Sequence, residues 1–224
     1  MPQQKNKKIF IYFFIFLVIG TLNNKNLSNN NFAKVNTISV TGLDEINNLD
    51  LHNKLDLLKV KNLFFLNKTE IKKILDSNSL VEQYSVFKKY PATLNVTVDK
   101  TKFIAKVKRN SDIFFLGSNG KLIKTDNIKK DVPFIFGNFN KKDFFELKKV
   151  IDETNFDYLE IKNLFFFKSG RWDIETKNGL LIKLPKNDLK KKFKLLIKFL
   201  SKNDQKKINK IDLRQNNQII INGK

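Results

Sequence analysis

Few residues in this chain could carry chemistry. His52 is the sole histidine and so the only side chain that ordinarily titrates near neutral pH. A Ser/His/Asp site would have to use it, and it falls on the polar side of a predicted amphipathic helix. There is no cysteine, which excludes disulfides, thiolate metal sites and cysteine nucleophiles. The acids are scattered among lysines; the pairs Asp44-Glu45 and Asp152-Glu153 fall at predicted helix ends, where solvation and the helix dipole explain them. No G-x-G-x-x-G or P-loop is present, and the eight glycines are dispersed among turns. No cofactor is expected.

What remains is recognition. Arg171-Trp172 offers cation–π or stacking contacts, although the sole tryptophan, set in a predicted strand, reads first as core or sheet packing. Lys88-Lys89-Tyr90 could hold an acidic or aromatic ligand; its simpler reading is the lead-in to a strand. Lys+Arg number 43 against 22 acids, a formal charge of +21, which first suggests a polyanion or an acidic membrane surface. Against this, arginine appears only at Arg109, Arg171 and Arg214, and arginine is the residue that base reading and bidentate phosphate contacts favour. The lysines are spread along the chain. Abundant Asn, Ile, Lys and Phe together match a genome biased toward A and T codons.

The elements that must position these residues begin with Lys5, Lys7 and Lys8, followed by an uncharged run over residues 9–22. That run rises only ~21 Å as a helix, against ~30 Å of hydrocarbon. Snorkelling lysines and a locally thinned bilayer still allow a short span, and no small-residue cleavage site follows it. An uncleaved signal anchor is therefore expected. The positive-inside bias keeps the N-terminus cytoplasmic and exports the rest.

Beyond a polar, Asn-rich linker, Val35, Ile38 and Val40 alternate as a strand and Gly42 ends it. Leu51, Leu55 and Leu58 share a helical stripe. Asn67 with Glu70 resembles a capping box ahead of Ile71, Ile74 and Leu75. In "VFKKYPATLNVTVDK", Leu94, Val96 and Val98 take one face of a strand, and the Tyr90-Pro91 turn makes a hairpin with the extended residues 83–88. Further strands are expected at 103–108 and 112–116, with a turn at "GSNG". "VPFIFG" reads as a loop or short edge segment, because Pro133 lacks a donor. Asn140 starts a helix with Phe144, Leu147 and Ile151 inward. Residues 158–167, 171–176 and 180–184 read as strands, the last two joined at Asn178-Gly179. Pro185 and Asn187 then open a helix with Leu189, Phe193, Leu196, Ile197 and Leu200 inward and lysines outward. Strands at 208–213 and 218–221 end the chain. The order is α+β: strand-helix-helix-strand-strand, then a mostly antiparallel sheet with two helices.

This order resembles the bacterial cell-division proteins of the FtsQ/DivIB family over nearly the whole chain. "ISVTGL" at 38–43 is similar to the first strand of the family's POTRA domain, and "LFFLNKTEIKKIL" at 63–75 to its helix start. "VFKKYPATLNVTV" is similar to its basic-x-aromatic-Pro-x-x-Leu hairpin. "LGSNGKLI" at 116–123, "VPFIFG", "RWDIETKNGLLIKLP" and "IDLR" at 211–214 resemble successive parts of its β-domain. The resemblance implies a cytoplasmic tail at 1–8, a transmembrane anchor at 9–25, a linker at 26–34, a POTRA domain at 35–104 and a β-domain at 105–224. It implies a scaffold without catalytic activity, in the inner membrane at the division septum with its folded domains periplasmic. Such a scaffold recruits the coiled-coil proteins FtsB and FtsL, and through them the septal cell-wall synthases. Strand addition to a terminal edge is the expected mode, with Asn217, Gln218, Ile219, Ile220, Ile221, Asn222, Arg171 and Trp172 as partner contacts and Lys88, Lys89 and Tyr90 as POTRA surface candidates. The alternative is an anchored basic protein that holds anionic envelope polymer or lipid headgroups.

Overall fold

The computed structural model describes residues 4–22, 34–110, 112–124, 130–203, 208–216 and 218–223. The chain divides into two compact units, Met1–Asp99 and Lys100–Lys224.

In the first unit, helix α1 spans Gln4–Leu22. It starts before the expected anchor and ends short of residue 25; the expected linker lies almost wholly outside the described residues. No described helix is long and apolar enough to cross a membrane. The reason is the lysines at 5, 7 and 8, which occupy the first turns and leave only the short run noted above. Apolar side chains cover every side of α1: Phe10 is 76% exposed and Phe16 75%.

The rest of this unit runs β1 (Thr37–Thr41), α2 (Glu45–Leu55), a 3₁₀ turn (Asp56–Val60), α3 (Lys68–Ser77), β2 (Val81–Lys89) and β3 (Thr93–Lys100). The strands lie in the order β1-β3-β2, with β1 parallel to β3. Asn67 caps its helix as the sequence suggests, and Asp44, read from sequence only as an acid at a helix end, caps the other. Asp44 Oδ1 accepts from Asn47 N at 3.1 Å, and Asn67 Oδ1 accepts from Thr69 N at 2.9 Å, satisfying orphan helix donors. Glu70 turns its carboxylate to the Lys61 ammonium at 2.5 Å. Leu51, Leu55, Leu58, Ile71 and Leu75 pack on Ile38, Leu94, Val96 and Val98 in one core. Each such side chain, taken out of water, contributes about 1.5–3 kcal/mol.

Gly42 is fixed by two constraints at once. Its φ is +111°, and a Cβ there would stand 1.7 Å from the Val98 carbonyl oxygen. Gly42→Ala is therefore expected to destabilise this unit by more than about 1 kcal/mol, read as a lowered denaturation midpoint.

Among the described residues the second unit holds a nine-stranded sheet: β4 (Phe103–Arg109), β5 (Asp112–Gly117), β6 (Leu122–Lys124), β7 (Phe134–Phe136), β8 (Ile161–Phe166), β9 (Trp172–Thr176), β10 (Leu181–Lys183), β11 (Ile208–Asp212) and β12 (Ile220–Gly223). The spatial order is β12-β11-β10-β9-β8-β7-β4-β5-β6. Five neighbouring pairs are antiparallel and three parallel. Helices α4 (Lys141–Asp152) and α5 (Leu189–Leu200) share one core with Leu164, Ile174, Ile182 and Ile211, so both cover the same sheet face.

Two expectations are corrected here. "VPFIFG" is neither loop nor edge: β7 lies inside the sheet, parallel to both β4 and β8. Pro133 stands one residue before the strand, where its missing N–H costs no ladder bond, and its carbonyl accepts from Lys106 N at 2.8 Å. The lysines of α5 are not all outward: Lys192 is 6% exposed, and its ammonium donates to the Gln215 carbonyl at 2.6 Å. Its long stem covers apolar surface while its head reaches a partner.

Candidate functional site: a sheet edge

Registers across the second sheet align one apolar row. Val107, Ile135, Leu164, Ile174, Ile182 and Ile211 stand side by side through successive pairings. All six are buried, from 5% exposed down to 0%. The row continues into β12 at Ile221, paired with Ile211, and there exposure rises to 51%. The core thus runs out to the side of the sheet and stops at an uncovered isoleucine. Among the described residues, β12 pairs only with β11 and ends the sheet. Its outer backbone groups are the kind of row that another chain can pair with.

The corner leading into β12 is pinned. Arg214 Nε donates to Asp212 Oδ1 at 2.9 Å and Oδ2 at 3.0 Å, and Nη2 donates to Oδ2 at 2.5 Å. This charge-assisted fork holds the Asp212 carboxyl below the usual carboxylate range and the Arg214 guanidinium above its ordinary value. Leu213 N donates to Lys183 O at 2.9 Å, and Lys192 holds Gln215. The β11–β12 turn is thereby tied to α5, to β10 and to itself.

Of the expected partner residues, Ile220, Ile221 and Asn222 lie in β12 and are exposed. Gln218 is exposed but precedes the strand, and Ile219 packs partly on the core. Asn217 lies outside the described residues. Ile220 and Asn222 share the sheet face away from the helices, opposite Asp212 and Lys210.

Arg171 and Trp172 are elsewhere. β10 and β11 separate β9 from the edge. Trp172 is 2% exposed and packs against Phe166 at 4.8 Å, Phe139 at 6.0 Å and Phe144 at 6.4 Å between ring centroids. Its assignment as a partner contact is corrected on that ground: a ring enclosed by its own core offers no surface. Arg171 lies over the Phe167 ring at 4.0 Å. Its Nε sits 3.6 Å from Asp173 Oδ1, too long for a hydrogen bond, and neither atom has another partner.

Burial pushes the Asp173 carboxyl up, although Arg171, Lys183 and Arg214 pull it down. A carboxyl raised on folding binds its proton more tightly in the native state. Its contribution to stability is full below the ordinary value of about 3.9 and is lost as pH rises through the folded value. Asp173→Asn is expected to remove that loss, flattening the melting temperature across this interval in a pH series.

The basic-aromatic trio belongs to the first unit. Lys88 is the penultimate residue of β2, and its ammonium donates to the carbonyls of Leu66 at 3.1 Å and Phe64 at 3.5 Å. Tyr90 stacks on Phe64 at 4.6 Å, and Lys89 is exposed. His52 Nδ1 lies 3.5 Å from Asp56 Oδ1 on the surface of α2. Among the described residues no group of three or more His, Cys, Asp or Glu could hold a metal.

These two units, one a small strand-helix-helix-strand-strand domain and the other a mixed sheet with helices on one face, define a POTRA domain joined to a β-domain. The family model "POTRA domain, FtsQ-type" matches residues 33–100, and "Cell division protein FtsQ/DivIB, C-terminal" matches 105–214. The chain belongs to the FtsQ/DivIB family of cell-division proteins. It is 25% identical over 146 residues to cell division protein DivIB of Bacillus subtilis (strain 168), covering 64% of this chain and 53% of that one. It is 22% identical over 192 residues to cell division protein FtsQ of Rickettsia bellii (strain RML369-C), covering 84% and 72%. The match to DivIB of Staphylococcus aureus (strain NCTC 8325 / PS 47), 24% identical over 160 residues, covers 67% and 36%. The chain thus spans between a third and about half of the two DivIB sequences. The extracytoplasmic domain of DivIB from Geobacillus stearothermophilus is similar at 17% identity and a TM-score of 0.35, over 48% of this chain and 99% of that domain. The C-terminal family match ends at Arg214, before β12.

Proposed function

We propose that the chain is a scaffold of the division machinery that works without catalysis. It presents β12 as a template on which an extended segment of an FtsB- or FtsL-type coiled-coil protein adds as a further strand. By that contact it links early division proteins to septal cell-wall synthesis. The observation that carries this reading is the buried isoleucine-rich row ending at exposed Ile221. A partner strand beside β12 extends the backbone ladder and covers the end of the row with one apolar side chain. Helix α1 acts as the single-pass anchor. An apolar surface on every side belongs in a protein core or in lipid, and the large side chains from Ile9 to Ile19 are exposed. Lys8 and its neighbours take the cytoplasmic headgroups, and the folded units stand outside, at the septum.

A second reading has its own support. Lys191, Lys192, Lys194 and Lys198 line a cavity of about 450 Å³ beside α5 with a single acid, Asp188, a suitable place for anionic polymer or lipid headgroups. Salt separates the two. Partner proteins captured by the full chain from its native membranes are expected to persist as salt rises, because backbone bonds and apolar burial are weakly screened. Loss of the captured material through physiological ionic strength would favour the polyanion reading.

A further inference from the structure

The first unit carries an aromatic surface that its own fold does not use. In "LFFL", Leu63 is 0% and Leu66 4% exposed, whereas Phe65 between them is 88% exposed and Phe64 51%. The two leucines anchor a loop whose two phenylalanines stand outward. The backbone beneath them is rigid: Phe64 N donates to Asn62 Oδ1 at 2.9 Å, Phe65 N donates to Asn62 O at 3.2 Å, and Lys88 holds the Phe64 and Leu66 carbonyls. Tyr90, itself 53% exposed, stacks on Phe64. Apolar rings held outward by a built backbone mark an interaction surface more than incidental exposure does.

The place of this surface in the chain indicates its occupant. The polypeptide coming from α1 joins the fold at residues 34–37. There Lys34 bridges to Asn62, Val35 N donates to Lys61 O at 3.0 Å, and Asn36 N donates to Ala92 O at 2.8 Å. The loop carrying Phe64 and Phe65 and the turn following Tyr90 therefore flank the point where the chain enters. From Leu22 to Lys34 the chain reaches at most about 40 Å when fully extended, so the entry point beside the aromatic surface stays within that distance of the end of α1. Lys34, bridged to Asn62, stands at this entry point.

We infer that Phe64, Phe65 and Tyr90 form a lipid-contact surface that seats the first unit on the bilayer at the exit of its anchor, with Lys34 meeting anionic headgroups. Tyr90 suits the interfacial zone, where one end is apolar and the other wet, the phenylalanines supply apolar surface to sink below the headgroups, and a lysine adds attraction to anionic lipid. The inference rests on the reading of α1 as the anchor.

The absence of native cysteine makes the test direct. Three single-cysteine variants of the full chain, Ile15→Cys in α1, Phe65→Cys, and Gln83→Cys further back along β2, are labelled with an environment-sensitive fluorophore. They are reconstituted in phosphatidylglycerol–phosphatidylethanolamine vesicles carrying a lipid-borne quencher. The expected result is a blue shift and quenching for the labels at positions 15 and 65, with position 83 remaining polar and unquenched. Quenching at 15 with position 65 behaving like 83 leaves the anchor standing and overturns the inference. No quenching at either 15 or 65 overturns both. A shift at 65 that grows with protein density at fixed lipid assigns the surface to a second copy of the chain, which also overturns it.

Discussion

Replacing Ile220 with proline is expected to release the partner strand while the protein stays folded. Ile220 opens β12 and is the outermost of its pairings with β11, facing Asp212; Ile221, Asn222 and Gly223 continue the ladder behind it. Its side chain is 47% exposed, so the change opens no cavity in the core. Proline removes one backbone donor and its ring obstructs a strand laid alongside. A lost hydrogen bond is worth about 0.5–1.5 kcal/mol, and the misfit of the added strand adds to it. A decrease of tenfold or more in affinity follows, since about 1.4 kcal/mol is tenfold. Ile220→Lys offers the same test without removing a backbone donor, because its ammonium stands opposite Asp212 and keeps β12 paired with β11 while its charge opposes an apolar partner strand. Co-purification at wild-type yield with both variants would count against strand addition.

Trp172→Ala is expected to have the larger effect on stability. The indole fills the space between α4 and the sheet, touching Phe139, Phe144 and Phe166, and is almost wholly enclosed. Truncating a buried aromatic costs about 3–5 kcal/mol, a large share of the 5–15 kcal/mol that holds an ordinary domain. The second unit is expected to unfold at much lower denaturant, while the first keeps its own transition, since the two cores share no residue. Circular dichroism follows both, the variant having lost the only tryptophan. A midpoint for the second unit within a few tenths of a kcal/mol of wild type would show that the ring is not what fills that core.

The first unit is the more legible in sequence. Asn67 announces its helix, Leu94, Val96 and Val98 alternate as a buried face must, and Gly42 marks a turn only glycine can make. In the second unit, strands of four or more residues and both helices are visible from periodicity. Of the three-residue strands, β10 is visible through its Asn-Gly hairpin and β6 and β7 are not. β6 is too short for alternation to register, and β7 has parallel neighbours on both sides, so no hairpin signal accompanies it. Pro133 misleads because its effect depends on whether it lies in the strand or one residue before it. Lys192 hides among the lysines of α5, since burial of one of them depends on the turn at Gln215, far along the chain.

The candidate edge was partly legible. The β-forming "NQIII" near the chain's end suggests a terminal strand, and β12 lies there, shifted to Ile220–Gly223. That Ile221 extends a row of six buried residues depends on registers across seven strands, which no local pattern encodes. Trp172 illustrates the converse: adjacency to Arg171 suggests a surface pair, yet strand alternation turns the indole inward, while Arg171, just before the strand, lies over Phe167.

If β12 is the docking strand, its outer backbone groups receive a partner strand. Amide hydrogen exchange over residues 220–223 of the full chain, alone and bound to the partner recovered from native membranes, tests it most directly. Exchange at these amides is expected to slow strongly on binding. A bound partner that protects other segments and leaves β12 exchanging at its free rate would contradict it.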